Sequence, residues 1–343
     1  MNVTYLAVIA GCIGVGCGDA STGTTGAPSA TADGDRSDTG DEVASTAIEQ
    51  LVWTAEPGFV LEDASNPGAA TSADGSVYLS YQDRDQPQGS TVRSVQLNGG
   101  ADWLAPGADF DVDMAFFHAV KLPSGLYRKY GPEPTIGGGP GDFTSKSSTD
   151  GVTFSLDVDD QGAPIIRYEL QPEDNGTLGT FDTFVNADGH VVLLYVGDRE
   201  AGGRNNIRRA VSTDGGDRFE FDRIDVFGDA EAGGGGRTYV DQDTLTLPDG
   251  RVYVIAMKSG ELYHFVGDPQ GDVFTPLSEG APFLSAEDFE PEPGKTVASL
   301  HDPQIVQLAD GRLRIYVAAI IAGETGPNGT EKHYMVAATS HAL

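Results

Sequence analysis

The residues of this chain best suited to chemistry stand where five similar segments open: Asp63 and Asn66, Asp113 and His118, Asp182, Asp241 and Asp243, and His301 with Asp302. These openings are more acidic than strand packing requires. Carboxylates gathered at one mouth repel one another, which raises some pKa values and makes general acids. Two such groups flanking a glycosidic bond can hydrolyse it, one donating a proton and one activating water. Inversion needs them roughly 6.5 to 9.5 Å apart. The catalytic candidates are Asp63, Asp182, Asp241 and Asp243, with Asp302 a further member. The competing role for each is structural: an Asp that caps a strand or binds turn amides.

Substrate binding is expected from Asn66, Asp113, His118, Arg237, Tyr239 and His301. His301 precedes Asp302 and is placed to orient a carboxylate or to hold a central cation. Arg237 and Tyr239 follow four glycines, Gly233 to Gly236, and could meet an anionic or sugar ligand. That loop has no Lys-Ser/Thr and no following helix, so it is not a phosphate loop. Arg199, Arg204, Arg208 and Arg209 are the one basic concentration. They suit a carboxylate ligand or, more simply, a hairpin balancing local charge.

The elements that must position these residues are repeats. The copies read NPGAATSADGSVYLSYQD from Asn66, FHAVKLPSGLYRKYG from Phe117, FDTFVNADGHVVLLYVGD from Phe181, DQDTLTLPDGRVYVIAMK from Asp241 and DPQIVQLADGRLRIYVAA from Asp302. Each joins two alternating runs through Asp-Gly or Ser-Gly, a hairpin signal because Gly accepts the positive φ of the turn. Successive turns lie roughly 50 to 65 residues apart, the length of one four-stranded blade. An all-β fold follows: a five-bladed β-propeller over residues 49–343, with inner strands lining a central funnel. The fifth copy ends at Val336 to Ser340, so Gln50 to Thr54 should supply its outer strand, closing the ring and hiding both sheet edges.

A second signature follows the hairpins. Ser212-Thr213-Asp214-Gly215-Gly216-Asp217-Arg218-Phe219 fits S-x-D-x-G-x-x-F, and Ser148 to Phe154 is one residue shorter. Weaker copies are QLNGGADW from Gln96 and GDPQGDVF from Gly267. The motif resembles the Asp-box of sialidases and related propellers, whose oxygens hold turn amides while the aromatic ring plugs the blade. The repeat layout, with LLYVGDREAGGRNNIRRAVSTDGGDRFEF from Leu193, is similar to bacterial glycosidase-like propellers. Arabinanase-like furanosidases share the blade number. That resemblance implies an Asp base on the first blade, an Asp modulator on the third and a Glu acid on the fourth. Asp182 matches the modulator. The first blade carries Asn66 before Pro67, leaving Asp63 as the substitute, and the fourth carries Asp241 and Asp243. If the protein is an enzyme, the resemblance implies a glycoside hydrolase; otherwise it implies a propeller binding carbohydrate or protein.

The 343 residues include 52 acidic and 21 basic ones, a formal charge of −31. Such a field repels nucleic acid and anionic lipid surfaces. Both cysteines lie near the start, Cys12 and Cys17, so the body has no thiol chemistry. Val3 to Val15 is an apolar run too short to span a bilayer but the length of a signal-peptide core. Small residues precede each cysteine, as at lipoprotein cleavage sites; length favours Cys17, giving a signal peptide over 1–17. No Lys or Arg precedes the run, so an ordinary secretory leader is the alternative. Residues 18–48 are Gly, Ser, Thr, Ala and Asp and should form a disordered tether. Expected, then, is a monomer at the bacterial cell envelope, lipid-anchored or secreted, whose partner is a carbohydrate or an envelope protein. No cofactor is expected, with a calcium ion in the funnel as the alternative.

Overall fold

A computed structural model describes residues 48–71, 77–84, 91–98, 102–103, 119–132, 143–151, 153–174, 178–197, 206–228, 238–308, 310–327 and 329–342. The leader with Cys12 and Cys17, the tether up to Ala47, and Asp113, His118, Arg199, Arg204 and Arg237 lie outside the described residues.

Nearly all regular structure among the described residues is strand. β1 (Trp53–Ala55) and β2 (Leu61–Glu62) lead into a sheet of β3 (Ala64–Thr71), β4 (Val77–Asp83), β5 (Thr91–Asn98) and β6 (Asp102–Trp103). The next sheet holds β7 (Ala119–Lys121), β8 (Tyr127–Pro132), β9 (Phe143–Ser148) and β10 (Ser155–Leu156). Then come β11 (Leu178–Val185), β12 (Val191–Gly197), β13 (Asn206–Ser212) and β14 (Glu220–Arg223), and β15 (Val240–Thr246), β16 (Val252–Lys258), β17 (Glu261–Gly267) and β18 (Phe274–Pro276). The last sheet is built from β19 (Val297–Gln307), β20 (Arg312–Thr325) and β21 (Glu331–Ala342), with β1 and β2 both pairing onto β21. All pairings are antiparallel.

The innermost strands form a ring: β3 neighbours β7, β7 neighbours β11, β11 neighbours β15, β15 neighbours β19, and β19 returns to β3. This is an all-β propeller of antiparallel four-stranded blades. Alternation along each blade's second strand explains the packing, since successive side chains face opposite neighbours. Val191, Leu193 and Tyr195 of β12 join Tyr130, Phe143 and Tyr168 on one side. Val192, Leu194 and Val196 join Val252, Val254 and Ala256 on the other. The opposite face of β16, Tyr253 and Ile255, packs with Ile305, Ile315 and Val317 of the last sheet. Strands buried on both faces read as near-continuous apolar runs, as VVLLYV and VYVIAM do.

The closing strand was expected at Gln50 to Thr54 and lies slightly later, at Trp53–Ala55. It pairs Trp53 with Ser340 and Ala55 with Ala338. Backbone bonds from Glu56 N to Ala337 O (2.8 Å) and Val60 N to Met335 O (2.7 Å) extend the seam. Glu56 fastens it: one oxygen takes Arg314 Nη2 at 2.5 Å and the other the Thr339 hydroxyl.

The Ser-x-Asp turns act as small hydrogen-bonded clasps. Ser212 Oγ accepts Gly216 N–H at 2.8 Å, and Asp214 Oδ1 accepts the N–H groups of Asp217 and Arg218, both at 3.0 Å. Ser148 and Asp150 repeat the pattern with Gly151 N–H (2.9 Å) and Thr153 N–H (2.8 Å). Phe219 is buried against Tyr130, at 5.1 Å between ring centroids. Among the described residues no helix is long and apolar enough to cross a membrane.

Candidate functional site: an acid pair at the funnel

Four inner strands carry the same irregularity at the same level. Two residues oppose one between Ser65 and Gly68 on β3, between Leu178 and Phe181 on β11, between Val240 and Asp243 on β15, and between His301 and Gln304 on β19. Such bulges re-aim side chains and often sit beside functional sites. The first residue of the bulge is Asn66, Asp241 or Asp302 in three of them, with φ of 49°, 52° and 50°. This left-handed conformation suits Asn and Asp better than other non-glycine residues.

The bulges converge on one cavity lined by Pro67, Thr180, Phe181, Asp182, Asp241, Gln242, Asp243, Asp302, Pro303 and Gln304. Asp241 Oδ1 takes the Thr180 hydroxyl at 2.9 Å, and the same carboxyl accepts the N–H of Asp302. The Asp302 carboxyl in turn accepts the N–H of Asn66. Two bulges thus hand a backbone amide to the carboxyl of the preceding one, linking β3, β19 and β15.

The environment separates the two acids electrostatically. Burial raises the pKa of Asp241, while the Thr180 hydroxyl, the His301 charge and the Asp302 amide oppose the rise. Burial pushes Asp302 up to about 7, the negative charge of Asp241 adds to it, and Arg84 and the Asn66 amide only partly offset them. The two carboxyls interact, and burial disfavours the ionised form of each.

The other acids of this region hold structure. Asp182 Oδ2 accepts the Thr244 hydroxyl, joining β11 to β15. Asp243 Oδ2 accepts Ile305 N–H at 2.6 Å and Gln304 Nε2 at 2.5 Å, joining β15 to β19. Both are buried and line the cavity, so they brace neighbouring blades at its wall. Asp63 stands outside the cavity lining; its Oδ2 pairs with Lys332 Nζ at 2.8 Å, and Lys332 also reaches Glu62 at 2.6 Å. Its φ is 51°, so it marks the entry to the first blade.

Among the expected binding residues, Asn66 shares the acid chain, and His301 takes part through its charge on Asp241. His301 Nε2 lies 2.8 Å from Ser299 Oγ. Tyr239 sits in an aromatic cluster with Phe227, Tyr263 and Phe265, with Lys258 Nζ 4.3 Å above its ring. That is a packing position. Arg208 is buried against Asp174 at 2.6 Å, and Arg209 pairs with Asp222 and Asp272. The basic concentration is therefore spent internally at these two positions. Among the described residues no group of three or more His, Cys, Asp or Glu could hold a metal ion.

Sequence reading passed over Thr180, Gln242, Gln304, Arg84 and His333. Thr180 and Gln304 carry no signal alone, because their roles arise across blades. Pro67 and Pro303, each following the first bulge residue, were a readable sign of the shared level.

By sequence the chain matches no protein-family model and no curated protein. Solved structures do match in fold. The catalytic domain of the GH62 α-L-arabinofuranosidase of Coprinopsis cinerea superposes with a TM-score of 0.60 at 12% identity, covering 86% of this chain and 99% of that one. A thermostable family-43 glycoside hydrolase gives 0.53 at 14% identity, with 82% and 91% covered. The Podospora anserina α-L-arabinofuranosidase, in complex with cellotriose, gives 0.54 at 10% identity, with 85% and 98% covered. The chain therefore has the fold of glycosidase-like β-propellers.

Proposed function

We propose that this protein is a five-bladed propeller glycoside hydrolase whose acid and base are Asp302 and Asp241. The observation that carries the reading is the pair itself: two bulge carboxyls, bonded through consecutive backbone amides, facing a cavity at the funnel. The glycosidase-like fold supports it, as does the sequence layout of five repeats.

In the reaction Asp302 gives its proton to the glycosidic oxygen as the bond from that oxygen to the anomeric carbon breaks. Water adds to the anomeric carbon, and its proton passes to Asp241. Asp182 and Asp243 position the cavity wall rather than exchange protons, and Lys332 holds Asp63 away from the chemistry. The apolar run and Cys17 support export and lipid anchoring at the bacterial envelope, with residues 18–48 as tether.

The test is sugar release by the purified protein from arabinan, xylan, fructan and pectic substrates. Asp302→Asn and Asp241→Asn are each expected to lower kcat at least 100-fold, in keeping with the loss of a general acid or base. Activity should also fall as pH rises past about 7, where Asp302 loses its proton. Unchanged release by both variants overturns the assignment. Glycan binding without release by the unaltered protein would make it a carbohydrate-binding propeller.

A further inference from the structure

Arg84 differs from the other arginines whose side chains are described. Each of those has a protein carboxylate within 3.9 Å. Arg84 instead donates Nε to Ser65 Oγ at 2.5 Å and Nη2 to Asn66 Oδ1 at 3.4 Å, both neutral acceptors. No carboxylate among the described residues forms an ion pair with it. In a chain with 52 acidic residues against 21 basic ones, an arginine without such a partner needs an explanation.

Its position supplies one. Arg84 N–H donates to Asp63 O at 2.6 Å, and Asp63 N–H donates to His333 O at 2.9 Å, so three separate segments meet here. The Arg84 charge acts on Asp302 and on His333; that of His301 acts on His333 and on Asp241. Arg84 and the two imidazoles therefore flank the acid pair. Arg84 bears electrostatically on Asp302, whose carboxyl accepts the N–H of the same Asn66 that Arg84 holds. A half-buried guanidinium bonded only to neutral acceptors lacks a counter-charge at contact, and a ligand that brings one gains a charge-assisted, two-point contact.

We propose that Arg84, flanked by His333 and His301, receives the carboxylate of an acidic sugar, so that the funnel takes glycans bearing uronate next to the bond it acts on. The inference rests on the glycosidase reading and deepens it. With Nε and one edge of Nη2 held by Ser65 and Asn66, the Nη1–Nη2 end of the fork remains for a carboxylate, in the planar geometry an Arg–carboxylate pair prefers. The chain's overall charge of −31 does not forbid this. Exposed charges beyond about 8 Å are largely screened at physiological salt, whereas the pair forms at contact.

The experiment is calorimetric titration of the full chain at pH 6 with an oligogalacturonate and with the galactose oligomer of the same length and linkage. The expected result is at least tenfold tighter binding of the uronate. In Arg84→Gln that preference should shrink to twofold or less, through weaker binding of the uronate. Arg84→Lys, which keeps the charge and loses the fork, should retain an intermediate preference, and thermal melting checks that both variants fold. Uronate should also shift the His333 imidazole titration upward by NMR, a change a purely structural Arg84 would not cause. Equal affinity for the two oligomers overturns this inference and leaves the hydrolase reading standing if sugar release depends on Asp302. Failure to bind either oligomer, with no sugar released, overturns both.

Discussion

At the scale of single residues, Asp302 ties stability to pH in a direction opposite to most carboxylates. Its pKa is about 7 in the fold and about 3.9 in an unfolded chain. Between those values the native state holds a proton that the unfolded state has released, so stability falls as pH rises through the window. A rise of about 3 units corresponds to an upper bound of about 4 kcal/mol by pH 8. His264 works the other way. Burial depresses its pKa to about 4, below the usual 6.5, so it contributes stability that is lost as pH falls from 6.5 towards 4. The two slopes partly cancel in the native protein. Asp302→Asn removes one of them. Its stability relative to the parent is expected to grow steadily from pH 4 to pH 7, reaching roughly 2–4 kcal/mol at pH 8. Urea midpoints measured across that range decide the matter; a difference that does not vary with pH would show that Asp302 does not titrate in the fold as described. Such a gain in stability from a substitution expected to abolish activity would also fit a site that stores strain for function.

At the scale of elements, the turns and the bulges contrast in how they are specified. The Ser212–Asp214 clasp is local, with all its hydrogen bonds made inside seven residues, from Ser212 to Arg218. Asp214→Ala should therefore cost about 0.5–1.5 kcal/mol by removing the acceptor of the exposed Asp217 and Arg218 amides. Gly216 is more demanding. Its φ is +90°, and a Cβ there would lie 2.1 Å from Tyr130 Oη, which itself bonds Gly216 O at 3.0 Å. Gly216→Ala should exceed Gly215→Ala in cost, since Gly215 has a similar φ of +81° but open space around it. Denaturant melts of the two variants compare strain alone with strain plus collision. Equal losses would count against the Tyr130 contact. This locality is why hairpins and clasps could be read from DG and S-x-D patterns. The bulges could not, because two residues opposing one is a statement about the partner strand. Nothing near Asp63 announces Lys332, which lies 269 positions away, and that separation is why Asp63 reads as a free acid in the sequence. Asp241 and Asp302 were visible as candidates, but their pairing needed the amide chain that only adjacent blades create.

At the scale of the whole molecule, the ring is closed by the two ends of the domain. β21 is the third strand of its sheet, and β1 pairs with its outer edge while β2 pairs further along. Removing β1 exposes that edge, with its unpaired amides and carbonyls, and also removes Trp53 from Phe283, at 5.6 Å between centroids. It takes away Glu56 as well, the acid held by both Arg314 and Thr339. Arg314 is buried, and losing the carboxylate of a buried pair costs about 3–5 kcal/mol. A chain starting at Pro57 should therefore melt many degrees lower and become sensitive to protease along β20 and β21. Glu56→Gln, which spares the strand ladder, should fall between it and the full-length protein. The blades beyond the seam depend on closure too, because the acid pair is assembled from three of them: Asn66 from β3, Asp241 from β15 and Asp302 from β19. Loosening the seam between β1 and β21 lets the last blade move relative to β3, and the Asn66 amide then no longer reaches Asp302. Because the Asn66 amide lowers the Asp302 pKa, its loss is expected to raise that pKa further, seen as a shift of the high-pH limb of activity to higher pH, before the shortened chain loses its folded core. A peptide spanning residues 48–62, added in trans, should restore both the melting temperature and the pH limb if strand pairing is the cause. Restoration of neither would place the defect elsewhere in the ring.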